Sequence, residues 1–203
     1  VYKLKGKTSH DVVDILRKKT GIKKIGHAGT LDPLATGVLV IAVGREATKK
    51  ISSIMEKEKE YIAKIKFGQF SSTDDAEGEK TKVKIVNKPQ KKDIQKVLLF
   101  FKGNIMQQPP VYSAIKVQGK KAYEEARKGR ALKLKKRKVE IKSINLLNYS
   151  WPYAILKITT GPGVYIRSIA RDLGKKLKVG AYLAELERTR VGEFTKKKCK
   201  YEI

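Results

Sequence analysis

Val139-Glu140-Ile141-Lys142-Ser143-Ile144-Asn145-Leu146-Leu147-Asn148-Tyr149, then Ser150-Trp151-Pro152, then Tyr153-Ala154-Ile155-Leu156-Lys157-Ile158-Thr159-Thr160 read as two strands around a short turn. Strands so closely linked run antiparallel, because a parallel pair needs a long crossover. Gly161-Pro162-Gly163 then turns sharply into a helix whose Ile166, Ile169, Ala170, Leu173 and Leu177 share one face, and Gly180 closes it. Working outward, Tyr61–Phe67 alternates strictly, with Tyr61, Ala63, Ile65 and Phe67 on one face and Lys64 and Lys66 on the other. Thr8-Ser9-His10-Asp11 has capping-box spacing before Val12, Ile15 and Leu16, and that helix ends near Thr20-Gly21. Ile94, Val97, Leu98 and Phe101 mark another amphipathic helix, Ala122–Lys128 a short one stopped by Gly129, and the apolar run Val38–Val43 one buried strand. Strands and helices are interspersed without a βαβ rhythm. The expectation is an α+β fold, with a mixed, largely antiparallel central sheet and flanking helices.

The 203 residues show neither repeat nor linker, so one domain is expected. Lys and Arg number 47 against 20 acidic residues, for a net charge of +27 and a pI near 10.1. Such a field draws polyanions: nucleic acid first, an anionic membrane surface second. The plainer alternative is a lysine-rich solvated surface. Cys199 is the single cysteine, so no internal disulfide ties the fold to an oxidising compartment. No apolar run reaches the roughly 20 residues of a membrane span. The start, Val1-Tyr2-Lys3-Leu4-Lys5, lacks a signal-peptide layout, and a cytoplasmic location is the expectation.

Gly26-His27-Ala28-Gly29-Thr30-Leu31-Asp32-Pro33-Leu34-Ala35-Thr36-Gly37 is the stretch richest in chemistry. Its three glycines permit close backbone approach, and Pro33 stiffens the residue after Asp32. A lone Asp-Pro most often initiates a turn. The whole string, however, resembles the catalytic motif of the TruB family of tRNA pseudouridine synthases, in its bacterial rather than its guide-RNA-directed form. Lys57-Glu58-Lys59-Glu60-Tyr61 is similar to the family's tyrosine motif. Gln108-Pro109-Pro110-Val111-Tyr112-Ser113-Ala114-Ile115-Lys116, then Gly119, Ala122-Tyr123-Glu124 and Ala126-Arg127, resembles its basic loop. Gly163-Val164-Tyr165-Ile166-Arg167-Ser168 through Asp172-Leu173-Gly174 resembles its arginine motif, with Leu186 at the matching downstream position. The likeness runs in order along essentially the whole chain.

The resemblance implies a catalytic domain over residues 1–195 with an RNA-gripping basic insertion at about 107–138. Residues 196–203 would be the stub of a C-terminal RNA-binding domain. It implies isomerisation of the T-loop uridine of tRNA, position 55, by base flipping, glycosidic cleavage and reattachment through carbon. Asp32 would be the nucleophilic carboxylate; attack on the sugar, attack on the base and promotion of a glycal all stay open. Arg167 would hold Asp32 ionised and oriented, and Tyr61 would stack on the uracil and take part in proton transfer. Tyr165 and Leu186 would complete the pocket wall, and Asp75 would orient Arg167. His27 would occupy the place vacated by the flipped nucleotide, and Lys116 and Lys3 would contact substrate. His10 has no matching role.

An isomerisation needs no cofactor or metal, and none is expected. The partner would be the T-arm stem-loop of tRNA, with no membrane, no obligate protein partner and a monomeric enzyme. Flipping the base takes a few kcal/mol. Lys116, Lys120, Lys121, Arg127, Lys128, Arg130 and Lys133–Lys138 would supply it through backbone contacts. Two positions depart from the family pattern: Lys3-Leu4 stands where Lys-Pro is usual, and Ser71-Ser72-Thr73-Asp74-Asp75 replaces alternating Thr and Asp. Two other classes would share the charge. A catalytically dead RNA-binding module would have no need of Asp32, Tyr61 and Arg167 together, and a ribosome-associated basic protein would leave Gly26–Gly37 unexplained.

Overall fold

The computed structural model describes residues 1–203 except 114, 118, 131 and 133, and gives the backbone alone for Lys116, Val117, Lys121 and Arg127. Eight strands form the main sheet: β1 (Tyr2–Lys3), β2 (Thr36–Val38), β3 (Lys59–Phe67), β4 (Gly103–Gln107), β5 (Arg137–Ser150), β6 (Tyr153–Thr160), β7 (Ala181–Val191) and β8 (Phe194–Thr195). Their order is β1-β2-β7-β3-β6-β5-β4, with β8 on β7. All pairings are antiparallel except β2 with β7. The fold is therefore α+β, and the hairpin legible at Val139–Thr160 is its β5–β6 pair.

Alternation decides which face is buried. Tyr61, Ala63, Ile65 and Phe67 of β3 are inside, as are Ala154, Leu156 and Ile158 of β6. Against them pack α1 (Ser9–Thr20) through Val12, Val13 and Leu16, α2 (Lys91–Leu98) through Ile94 and Leu98, and α3 (Ile166–Lys176) through Ile169, Ala170 and Leu173. Each large side chain so buried contributes roughly 1.5–3 kcal/mol. On the other face Lys64 pairs with Glu185 at 2.8 Å and Lys157 with Glu60 at 3.1 Å, as befits a solvated surface. Helix α1 starts as its sequence predicts, with Thr8 and Asp11 capping each other's backbone, and ends at Gly21 in the left-handed conformation.

Two local expectations change. Val38–Val43 is not one strand: Thr36–Val38 belongs to the main sheet, whereas Ile41–Val43 pairs with Ile25–His27. The chain bends between them because Leu39 turns wholly inward while its N–H donates to the Val1 carbonyl at 2.9 Å. Helix α2 likewise gives way after Leu98 to a 3₁₀ turn, Leu99–Phe101, which still buries Phe101. Residues 196–203 include a 3₁₀ turn at Lys196–Lys198 and then lie beside β1. There the Leu4 N–H donates to the Ile203 carbonyl at 2.7 Å, and Ile203 is buried in the same core. No helix among the described residues is long and apolar enough to cross a membrane.

Candidate active site

One end of the sheet opens into a cavity of about 730 Å³, whose lining includes Asp32, Tyr61, Asp75, Tyr165, Arg167 and Leu186. Residues drawn from five separated stretches of sequence thus meet on one wall.

Asp32 sits on a loop held from several sides. The Ser9 hydroxyl accepts from the Leu31 N–H at 2.8 Å and donates to the Leu31 carbonyl at 3.1 Å, so the start of α1 holds the approach to Asp32. The Ala35 N–H closes a turn onto the Asp32 carbonyl at 3.0 Å, and the Gly6 N–H reaches the Pro33 carbonyl at 2.8 Å. Lys3 lies beneath. Its ammonium donates to the carbonyls of Leu4 (3.0 Å), Lys7 (2.7 Å) and Pro33 (3.4 Å), and burial draws its pKa down to about 8. Lys3, expected to contact substrate, is therefore a brace under the loop: it is fully buried, with its three protons committed to backbone.

Arg167, in the first turn of α3, grips Asp32 with two nitrogens: Nε to Oδ2 at 3.0 Å and Nη2 to Oδ1 at 3.2 Å. Side-on bidentate pairing fixes the plane of the carboxylate as well as its charge. Nη1 lies 3.5 Å from Asp75 Oδ2 and 3.4 Å from the Thr73 carbonyl, and Nη2 also donates to the Tyr112 carbonyl at 3.0 Å. The expected contact of Asp75 with Arg167 is thus present. Asp75 itself accepts from the Thr73 hydroxyl and, at 3.0 Å, from the Glu77 N–H. Four residues on, Arg171 bridges Asp74 (2.9 Å), Asp172 (2.8 Å) and the Gln108 carbonyl (2.9 Å). One face of α3 therefore ties together the Asp32 loop, the turn at 73–75 and the root of the basic insertion.

Burial pushes the Asp32 carboxyl above the usual aspartate range; the guanidinium of Arg167 opposes that shift and neighbouring Asp75 adds to it. Burial also raises the phenols of Tyr61 and Tyr165. Tyr165 is fixed through its backbone, which exchanges two hydrogen bonds with the Gln107 amide at 2.8 and 3.1 Å. Leu186 is buried opposite Ala63 of β3.

His27 is not part of the cavity lining. It ends the strand Ile25–His27, half-buried, with its Nδ1 buried and unpartnered among the described residues, and burial lowers its pKa. The side chain of Lys116 lies outside the described residues. His10 is an exposed first-turn residue of α1, 3.7 Å from Asp14. Sequence reasoning passed over Lys59 and Arg188, both of which line the cavity and are buried. For Arg188 a signal existed: it stands two residues after Leu186, where the alternation of a strand calls for another apolar side chain.

Comparison with known proteins gives one answer. The family model described as TruB family pseudouridylate synthase (N terminal domain) matches residues 17–166. The model for the tRNA pseudouridylate synthase B C-terminal domain matches residues 167–202. The junction of the two matches falls inside α3, whose Arg167 joins them across the site. The chain is 45% identical over 195 residues to tRNA pseudouridine synthase B of Clostridium tetani, covering 96% of this chain and 67% of that protein. It is 44% identical to the protein of that name from Parabacteroides distasonis, covering 95% and 84%. Among solved structures, a Cbf5-Nop10-Gar1 complex superposes with a TM-score of 0.74 at 29% identity, covering the whole of this chain and 50% of that one. An H/ACA ribonucleoprotein bound to a substrate RNA containing 2′-deoxyuridine gives 0.73 at 26%, covering 99% and 49%.

Proposed function

This chain belongs to the TruB family of pseudouridine synthases, and from that premise we propose that it isomerises uridine to pseudouridine in tRNA, at the T-loop position 55. The observation that carries the reading is the bidentate Asp32–Arg167 pair at the wall of a cavity that Tyr61, Tyr165 and Leu186 also line.

The reaction exchanges one bond for another. The N1–C1′ glycosidic bond breaks, C1′ bonds to C5, the C5 proton leaves and N1 gains a proton. Atoms balance without any co-reactant. Asp32 acts in its ionised form, and a carboxylate held by a planar guanidinium presents a fixed edge to the incoming nucleotide. Tyr61 stacks on the uracil and takes part in the proton transfer that follows reattachment. A cavity of this size accepts one flipped nucleotide, whose extraction takes a few kcal/mol supplied by contacts to the RNA backbone. With a net charge of +27, such contacts are plentiful. In this reading the enzyme works as a cytoplasmic monomer.

The test is release of tritium from C5-labelled uridine in a T-arm stem-loop, with an unmodified full tRNA in parallel. Release from both, and none when the target uridine is replaced by cytidine, supports the reading. Release that persists after that replacement overturns the position, and no release from either RNA overturns the activity.

A further inference from the structure

Arg188 of β7 stands opposite Tyr61 of β3 on one side and opposite Gly37 of β2 on the other. The β7–β3 register slips between Arg188 and Arg190, and such bulges re-aim side chains. Only 1% of Arg188 is exposed. Its Nε donates to the Val38 carbonyl at 2.8 Å, Nη2 to Gly29 at 3.0 Å and Nη1 to Thr30 at 3.3 Å. Tyr61, its cross-strand neighbour, is likewise buried and lines the same cavity. The approach is so close that a Cβ on Gly37 would fall 2.2 Å from the Arg188 carbonyl oxygen, which makes glycine obligatory there.

As a stability device this arrangement is poor. A buried guanidinium surrounded by neutral acceptors carries a desolvation penalty that an apolar side chain of similar volume avoids. What the fork supplies instead is geometry. Gly29 and Thr30 precede Asp32, and Val38 follows it, so one side chain clamps both ends of the loop that carries the carboxylate. The same residue is paired in the sheet with Tyr61, so the clamped loop and the strand that carries the phenol meet at Arg188. We propose that Arg188 is a positioning residue for the isomerisation: its fork fixes the Asp32 loop against the strand pair that carries Tyr61, so that carboxylate and phenol meet the same flipped base.

This rests on the reading under Proposed function, and the experiment separates the two. Single-turnover isomerisation, dissociation constant for the same RNA and melting temperature are measured for wild type, Arg188→Lys, Arg188→Met, Tyr61→Phe and the Arg188→Lys/Tyr61→Phe double variant. Rates are taken well below melting and per folded molecule. Arg188→Lys should slow the reaction roughly 100-fold, the scale of a misplaced catalytic group, with RNA affinity within about threefold. The double variant should lose less than the product of the two single losses, because both act on one arrangement. Should Arg188→Met fail to fold, Arg188→Lys carries the test alone. A role in stability only would lower the melting temperature, leave the rate within about threefold and multiply with Tyr61→Phe; that result overturns the inference. A wild type without isomerase activity overturns the reading and the inference together.

Discussion

The loop around Asp32 and the insertion at 107–138 are held in opposite ways. At the loop, Ser9, Lys3, Arg167 and Arg188 are all buried, and each is spent on a particular carbonyl, amide or carboxylate. In the insertion, the root is tied down through Gln107, Tyr112 and Gln108, but Lys120, Lys128, Arg130, Lys135, Lys136, Arg137 and Lys138 stand in solvent. Two of these cations, Lys128 and Arg130, share Glu125 at 3.6 and 3.4 Å. Chemistry needs few groups at fixed separation, so each is over-determined. Polyanion binding needs total charge, so its members are individually replaceable.

The largest effect should follow from Asp32→Asn. The amide keeps the shape and accepts from Arg167 through one oxygen, but it is not a nucleophile. Turnover should fall on the order of 10⁴-fold or more, while the dissociation constant for the stem-loop moves by less than about threefold. Quench-flow rates and fluorescence binding check the two halves; activity within 100-fold of wild type would break the contrast between the regions.

Next comes pH. Burial raises the Asp32 pKa, so the carboxylate is lost on acidification at a higher pH than the 3.9 or so of an ordinary aspartate. The acid limb of kcat/KM should therefore lie above that value, with activity falling as pH drops through it. Arg167→Met removes the cation that opposes the rise and leaves Asp32 facing Asp75. We expect a rate loss of about 100- to 1,000-fold and an acid limb displaced to still higher pH, with partial recovery in Arg167→Lys. A limb that stays in place would mean that Arg167 does not hold the charge of Asp32.

How much of this was legible in the sequence follows the same division. The β3 strand and the β5–β6 hairpin were readable because one buried face imposes period-two alternation, and α1 because Thr8 and Asp11 satisfy its first turn locally. Asp32, Arg167, Tyr61, Tyr165, Asp75 and Leu186 were named through a motif resemblance, and all six line one cavity. Their distances were not readable, since they depend on pairings between strands far apart in the chain. Lys3 came from the resemblance as a substrate contact, and only the fold shows that its ammonium is taken up by three carbonyls below the loop. The break at Leu39 was missed for a related reason: an unbroken apolar run does not say where it changes sheets.

The smallest effects belong to the insertion, and there the exposed run is the sharpest probe. Lys135, Lys136, Arg137 and Lys138 are exposed, although Arg137 and Lys138 also continue β5 beside β4. An exposed lysine that touches a phosphate releases condensed counterions, so its loss lowers the salt slope by about 0.7–0.9 as well as weakening binding. Lys135→Ala and Lys136→Ala, measured singly by titration at several salt concentrations, should each weaken tRNA binding by about two- to fivefold. Each should flatten the slope by that increment and leave the single-turnover rate at saturating RNA unchanged. A weaker affinity with an unaltered slope would mean that the side chain acts through the fold of the insertion and touches no phosphate. A fall in the saturated rate would mean that the insertion reaches the Asp32 loop through Tyr112 and Gln108, and the separation between the two regions would then be one of degree.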